Sequence, residues 1–245
     1  MLERAYIRFR ENLPDNPNTY AAAEGFSILG IPIVPFYGFG DINLANMPDL
    51  GPEAIVCGNI GDVWEALTLL RIQIPPPLDY PEHLEWMLGR TIVPKTLGEV
   101  RGLVDCKFVK PVKQKLFCGL VWDPKDPRCR IALAPYHDDT PCLVSDIVDF
   151  VSEWRCLVRD GVPIAMKHYR GDWSVAPDRN VFNKAIKQSK GKMPAAYGLD
   201  FGVTSDGKTL LVEANEGYAI GHYGANSVGY ARFLEARWMQ LVGAA

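Results

Sequence analysis

Apolar positions along the chain change period twice, and those changes divide it into three regions. In the first, the runs Ala5 to Phe9, Ile31 to Phe36 and Ala54 to Cys57 read as strands, and the stretch Tyr20 to Leu29 reads as a helix. Strand-like and helix-like segments in alternation predict a small parallel α/β unit. Val63, Ala66, Leu67 and Leu70 then recur at helical spacing until the Pro75-Pro76-Pro77 run stops them, and a second helix is expected from Pro81 to Leu88, with proline at its favoured first position. From about Lys107 to Phe150 the pattern shortens. Lys107 to Val112, Leu116 to Trp122 and Arg130 to Pro135 read as strands of an antiparallel sheet.

The third region contains two hairpin signals. Glu153 to Arg159 and Val162 to Tyr169 are joined at Asp160-Gly161, and Ala195 to Thr204 and Lys208 to Asn215 at Asp206-Gly207. This dipeptide supplies the positive φ angles of a two-residue turn. A helix near Pro177 to Gln188 separates the hairpins. After a glycine-rich loop, Val228, Ala231, Leu234, Trp238 and Leu241 form the apolar stripe of a closing helix. The fold class is therefore α/β followed by α+β.

Composition narrows the chemistry. A chain of 245 residues buries roughly three quarters of its unfolded surface, so it needs no disulfide or structural metal for stability. The six cysteines lack C-x-x-C spacing and no secretory leader precedes Ile7, which points to reduced thiols and a cytoplasmic location. No apolar run approaches the roughly 20 residues that cross a bilayer. With a net charge of −3 and both signs interspersed, no broad positive field is available for a nucleic-acid backbone. A homodimer is compatible with all of this.

The strongest chemical signal is the last hairpin. A two-residue turn at Asp206-Gly207 sets Asp200 opposite Glu213, where directly facing side chains lie about 5 Å apart and like charges repel unless a cation intervenes. Asn215 shares the face of Glu213 and stands opposite Gly198, which leaves space before its amide oxygen. Two carboxylates and an amide oxygen are hard ligands suited to magnesium, with manganese as a substitute. Solvent-facing carboxylates of an ordinary hairpin are the commoner explanation for such a pair taken alone.

Neighbouring motifs shift that balance. An acidic residue followed on the next strand by E-x-N, here Asp200 and then Glu213-Ala214-Asn215, resembles the ATP-grasp superfamily. The segment F-V-K-P at Phe108 to Pro111 is similar to the superfamily strand whose lysine contacts nucleotide phosphates. Lys115 to Gly119, K-L-F-C-G, resembles the clade of small ATP-grasp proteins named for one arginine and two lysines. The resemblance implies an ATP-grasp fold in which a pre-ATP-grasp α/β unit (1–105) precedes a catalytic region (106–245). The small lobe of that region runs to about 150 and the large lobe follows, the two clamping ATP.

It further implies that Asp200, Glu213 and Asn215 hold magnesium, that Lys110 and Lys115 are the two lysines, and that Arg155 in S-E-W-R is the arginine. Lys110, Lys113 and Lys115 crowd one bend, and a triphosphate would relieve their repulsion. Glu153 is expected at the ribose and the backbone of Ser145, Asp146 and Ile147 at the adenine. Lys115 and Arg155 are expected to steady the transferring phosphoryl group. Alternation puts Glu153 and Arg155 on one face, either reaching one site together or forming a surface ion pair; the hairpin turn sets His168 opposite Glu153 and Met166 opposite Arg155.

The loop Glu216 to Asn226 is where the acceptor substrate is expected, with His168, Arg170, His222 and Tyr223 as candidate contacts and Tyr169 and Asp172 nearby. Two departures stand out. The segment after Lys110 reads V-K-Q-K where many relatives have a glycine-rich lid, and Gly198 stands where some carry an arginine. The implied activity is ADP-forming ligation of a small-molecule or peptide carboxylate to an amine through an acyl phosphate. A kinase or a nucleotide-binding module on the same fold is the alternative. A Rossmann-type oxidoreductase is disfavoured because no G-x-G-x-x-G follows an early strand.

Overall fold

A computed structural model of the chain describes residues 2–38, 40, 42, 43 and 45–243. The N-terminal region contains β1 (Arg4–Arg10), β2 (Leu13–Pro14), α1 (Pro17–Ile28), β3 (Ile33–Phe36), β4 (Ala54–Cys57) and α2 (Ile60–Leu69). Strand β1 lies between β3 and β4 and pairs with both in parallel, as the alternating pattern predicts. Helix α1 starts where it does because Asn16 caps it. The Asn16 side chain accepts from the amides of Asn18 and Thr19, and Pro17 takes the first turn.

A 3-10 helix (Glu82–Met87) stands where the second helix is expected. After it come β5 (Ile92–Thr96), α3 (Leu97–Arg101), β6 (Lys107–Pro111), β7 (Leu120–Trp122), α4 (Pro127–Leu133) and β8 (Pro141–Ser145). These strands form an antiparallel sheet in the order β5-β8-β6-β7, so β5, although it precedes residue 106, pairs with the middle region. Arg130 to Pro135 is not a strand. Asp126 accepts from the Arg128 amide and Pro127 follows it, which starts a helix there; Cys129, Leu133 and Tyr136 then pack inward at helical spacing. Leu116 to Gly119 likewise lies outside the ladder, leaving only Leu120–Trp122 paired.

The third sheet is antiparallel in the order β10-β9-β11-β12, from β9 (Phe150–Arg159), β10 (Val162–Gly171), β11 (Ala196–Thr204) and β12 (Thr209–Glu216). Helix α5 (Arg179–Ser189) covers one face of it with the 3-10 helix, burying Cys156, Val158, Leu199 and Phe201. The opposite face carries Leu157 into a core shared with the N-terminal sheet, α1 and the closing helix α6 (Ser227–Gly243). Helices α1 and α6 touch at backbone distance: a Cβ on Gly25 would lie 2.1 Å from the Ser227 carbonyl oxygen, so only glycine fits.

Candidate active site

Asp200 does face Glu213, and Gly198 faces Asn215, but the turn that achieves this differs from the expected one. Thr204 and Lys208 close a three-residue loop, in which Gly207 alone takes a left-handed φ of 80°. Pairing then runs one residue out of step, with Phe201 opposite Leu211, until a bulge at Val212 restores it. The two irregularities cancel. Arg90 braces the bulge, donating to the carbonyls of Leu211 at 3.0 Å and Val212 at 2.8 Å. The space in front of Gly198 is not open, because the Ile220 side chain fills it: a Cβ there would meet Ile220 Cδ1 at 2.4 Å.

A continuous polar network runs across this face. Arg155, paired with Asp200 across β9 and β11, donates its fork to both carboxylate oxygens at 2.8 and 2.6 Å. Asn215 Nδ2 donates to Asp200 Oδ2 at 3.3 Å and to Glu213 Oε1 at 3.2 Å. Lys110 Nζ donates to Glu213 Oε2 at 3.1 Å and to Asp79 Oδ1 at 2.5 Å. Burial pushes the Asp200 carboxyl up to about 6 against the pull of Arg155. Burial is also the largest influence on Glu213, yet Lys110, Asn215 and Arg155 together outweigh it and hold that carboxyl below its usual range.

Arg155 does not pair with Glu153. Its guanidinium packs against the rings of Tyr169 and Tyr223, which stack on each other with centroids 5.0 Å apart. Glu153 is buried, and its two oxygens accept from Tyr169 at 2.7 Å and Arg170 at 2.6 Å. Two bulges in β10 account for this partner choice. The first follows Pro163, which has no amide to give the ladder; the second falls at Tyr169. As a result His168 faces Trp154 rather than Glu153, Lys167 rather than Met166 faces Arg155, and Arg170 faces Glu153.

The network forms one wall of a cleft of about 1210 Å³, and Lys110, Lys115, Arg155, His222 and Tyr223 are all among its lining. Lys113, Ser145, Asp146, Ile147, Glu153, His168, Arg170 and Asp200 do not line it; Asp200 is buried behind Arg155 and Asn215, which both donate to it. Ser145 is buried, and Asp146 accepts from Lys107 at 2.6 Å. The loop carrying Lys115 has no glycine at its bend; Lys115 itself takes a left-handed φ of 61°. The next carbonyl, Leu116, accepts from the Tyr136 hydroxyl at 2.9 Å, and the Phe117 and Tyr136 rings pack 5.1 Å apart. At the opposite end the His222 amide donates to Asn18 Oδ1 at 3.0 Å, and His222 Nδ1 accepts from the Gly224 amide at 3.2 Å, which leaves the ring proton on Nε2.

Five participants were not singled out from the sequence: Asn18, Asp79, Arg90, Tyr136 and Tyr80, whose ring lies beneath the Lys110 ammonium. Asp79 alone carried a readable signal, an acid placed just beyond a proline run that fixes the chain. Among the described residues, no three His, Cys, Asp or Glu side chains converge as a metal cage. The set present is two carboxylates and an amide around one point, the incomplete shell that magnesium shares with phosphates and water. Counting Asp79, three carboxylates meet two cations here, so the cluster carries an excess of negative charge that favours a further cation. The residues therefore fit magnesium.

A family model for an ATP-grasp domain, family 2 of the clade named for one arginine and two lysines, matches residues 87–233. D-alanine–D-alanine ligase from Bacillus anthracis superposes with a TM-score of 0.59 at 13% identity, covering 100% of this chain and 98% of that one. N5-carboxyaminoimidazole synthetase from Staphylococcus aureus gives 0.62 at 10% identity, over 96% of this chain and 77% of that one. A RimK domain protein from Sphaerobacter thermophilus gives 0.52 at 12% identity, over 94% and 99% of the two chains. At such identities the likeness is one of fold. No curated protein matches the sequence.

Proposed function

Since the chain belongs to family 2 of the one-arginine, two-lysine clade of ATP-grasp domains, we propose that it is an ATP- and magnesium-dependent ligase joining a carboxylate to an amine through an acyl phosphate. The observation that carries this reading is the network in which Glu213 and Asn215 line the cleft between Lys110 and Arg155, with Asp200 directly behind them in hydrogen-bond contact with Asn215 and Arg155. Asp200, Glu213 and Asn215 hold the metal, which supplies charge neutralisation and alignment of the triphosphate. The small lobe begins near Arg90, since β5 pairs with β8.

Lys110 and Lys115 approach the phosphates from the small-lobe side of the cleft, and Arg155 from the large-lobe side. A substrate carboxylate oxygen attacks the γ-phosphorus, the bond to the β–γ bridging oxygen breaks, and ADP leaves. Charge spreads over the transferring oxygens at that moment, and the permanently charged fork of Arg155 suits it. An amine then attacks the acyl carbon, phosphate departs and the nitrogen loses a proton. The loop from Glu216 to Asn226 borders the acceptor end of the cleft and is tied to the N-terminal unit through Asn18. Tyr169, with its ring on Arg155 and its hydroxyl on Glu153, keeps the guanidinium aimed into the cleft.

Incubation with ATP, magnesium and pooled amino acids should release ADP and, with hydroxylamine present, a hydroxamate. ADP without hydroxamate would indicate a kinase, and nucleotide binding without turnover a binding module. A substrate-independent check is calorimetric titration with magnesium and ATP: Glu213→Gln should lose most of the metal-dependent affinity while melting like the wild type. Unchanged affinity in that variant removes Glu213 from the metal site.

A further inference from the structure

Asp79 lies N-terminal to the family-matched segment 87–233 and belongs to neither of the lobes' sheets. It nevertheless lines the cleft, and its Oδ1 is the nearer of the two acceptors that hold Lys110 Nζ, at 2.5 Å against 3.1 Å for Glu213. Its backbone is fixed to the metal-site strand: the Ala214 amide donates to the Asp79 carbonyl at 2.7 Å, one residue from Glu213. The Asp79 φ of 38° is left-handed, a conformation that a non-glycine residue adopts where the surroundings impose it. Tyr80, next in the chain, sets its ring under the same ammonium, 5.3 Å from Nζ.

Lysine is a compact charge on a flexible stem with three donors, so its position is decided by what it touches. With Glu213 as its only partner, Lys110 would follow that carboxylate, which is also claimed by the metal. Asp79 gives it a partner that the metal does not claim, at a distance set by the main-chain bond to Ala214. We propose that Asp79 is a positioning residue: it keeps Lys110 at the cleft wall while magnesium takes Glu213, leaving the remaining lysine donors to face the phosphates. The inference rests on the nucleotide reading of the cleft.

Asn is the suitable replacement, because it keeps the shape, tolerates the left-handed backbone and leaves the main-chain bridge intact. Binding of adenylyl imidodiphosphate with magnesium is measured by calorimetry for the wild type, Asp79→Asn, Lys110→Met and the double variant. Asp79→Asn should weaken binding about tenfold, as expected for loss of a charge-assisted contact. Lys110→Met should weaken it at least as much, and the double variant no further, since Asp79 acts through Lys110. Equal or tighter binding by Asp79→Asn, as a self-neutralising lock would give, overturns the proposal. So does a loss that persists undiminished in the Lys110→Met background. Lys110→Met binding like the wild type sinks the nucleotide reading itself. Asp79→Glu, which retains charge with a longer reach, should lose less than Asp79→Asn and answers the question if that variant is not recovered folded.

Discussion

Arg155 meets three partners at once: the two oxygens of Asp200 and the faces of Tyr169 and Tyr223. A lysine there would keep the charge and lose the fork and the stacking, so the exchange is not conservative. Arg155→Lys should cost about 1–2 kcal/mol of stability on thermal melting and more than about tenfold in ADP release. Gly221 is the adjacent constraint. A Cβ at that position would stand 3.3 Å from Arg155 Nη1 and 3.2 Å from Tyr223 Cζ, so Gly221→Ala should lower turnover about tenfold while the fold persists, as steady-state kinetics beside a melt would show. Strand alternation in the sequence already groups Glu153 with Arg155, and Asp200 with Glu213 and Asn215; that both groups share one face follows from the pairing of β9 with β11. Which acid Arg155 takes was not legible, because β9 and β11 are distant in the chain and their register has no local signal, and the partners of Glu153 depend on where β10 slips.

At the scale of elements, those slips decide the site. Pro163 advertises the first bulge of β10, since a residue with no amide interrupts a ladder, but nothing at Tyr169 signals the second. The pairing of Asp200 with Glu213 was readable from the turn only because a longer loop and the bulge at Val212 offset each other. Long-range braces such as Arg90 carry no local sequence pattern at all. The strand expected at Arg130 to Pro135 was misplaced because a short apolar run fits either period, and the Asp126-Pro127 start decides for helix. The loop after β6 illustrates the same dependence on distant partners: Tyr136 holds the Leu116 carbonyl and stacks on Phe117 beside Lys115. Tyr136→Phe, which keeps the ring, should raise KM for ATP several-fold and leave kcat nearly unchanged, a loss of about 1 kcal/mol for one neutral hydrogen bond.

Over the whole molecule, three apolar cores among the described residues each enclose one buried cysteine. Cys57 lies in the core shared by the N-terminal sheet and α6, Cys156 in the core under α5, and Cys142 in the middle sheet. Burial raises all three thiols, Cys156 to about 12, so none of them is a thiolate near neutrality. Iodoacetamide at pH 8 should modify the exposed Cys118, and more slowly the exposed Cys106, whose thiol is raised by partial desolvation and the nearby Asp123, while the buried three react only after denaturant is added; mass spectrometry of the peptides distinguishes the two groups. Labelling of Cys142 ahead of Cys57 under mild denaturant would show the middle sheet opening first.

The core around Cys57 joins residues from both ends of the chain across the backbone contact of Gly25 with Ser227. Continuity of the polypeptide is thus not what holds the first seventy or so residues in place. A protease that nicks the exposed stretch around Gln73 and Ile74 should leave two fragments that travel together through gel filtration, and the chain becomes a natural starting point for a split reporter.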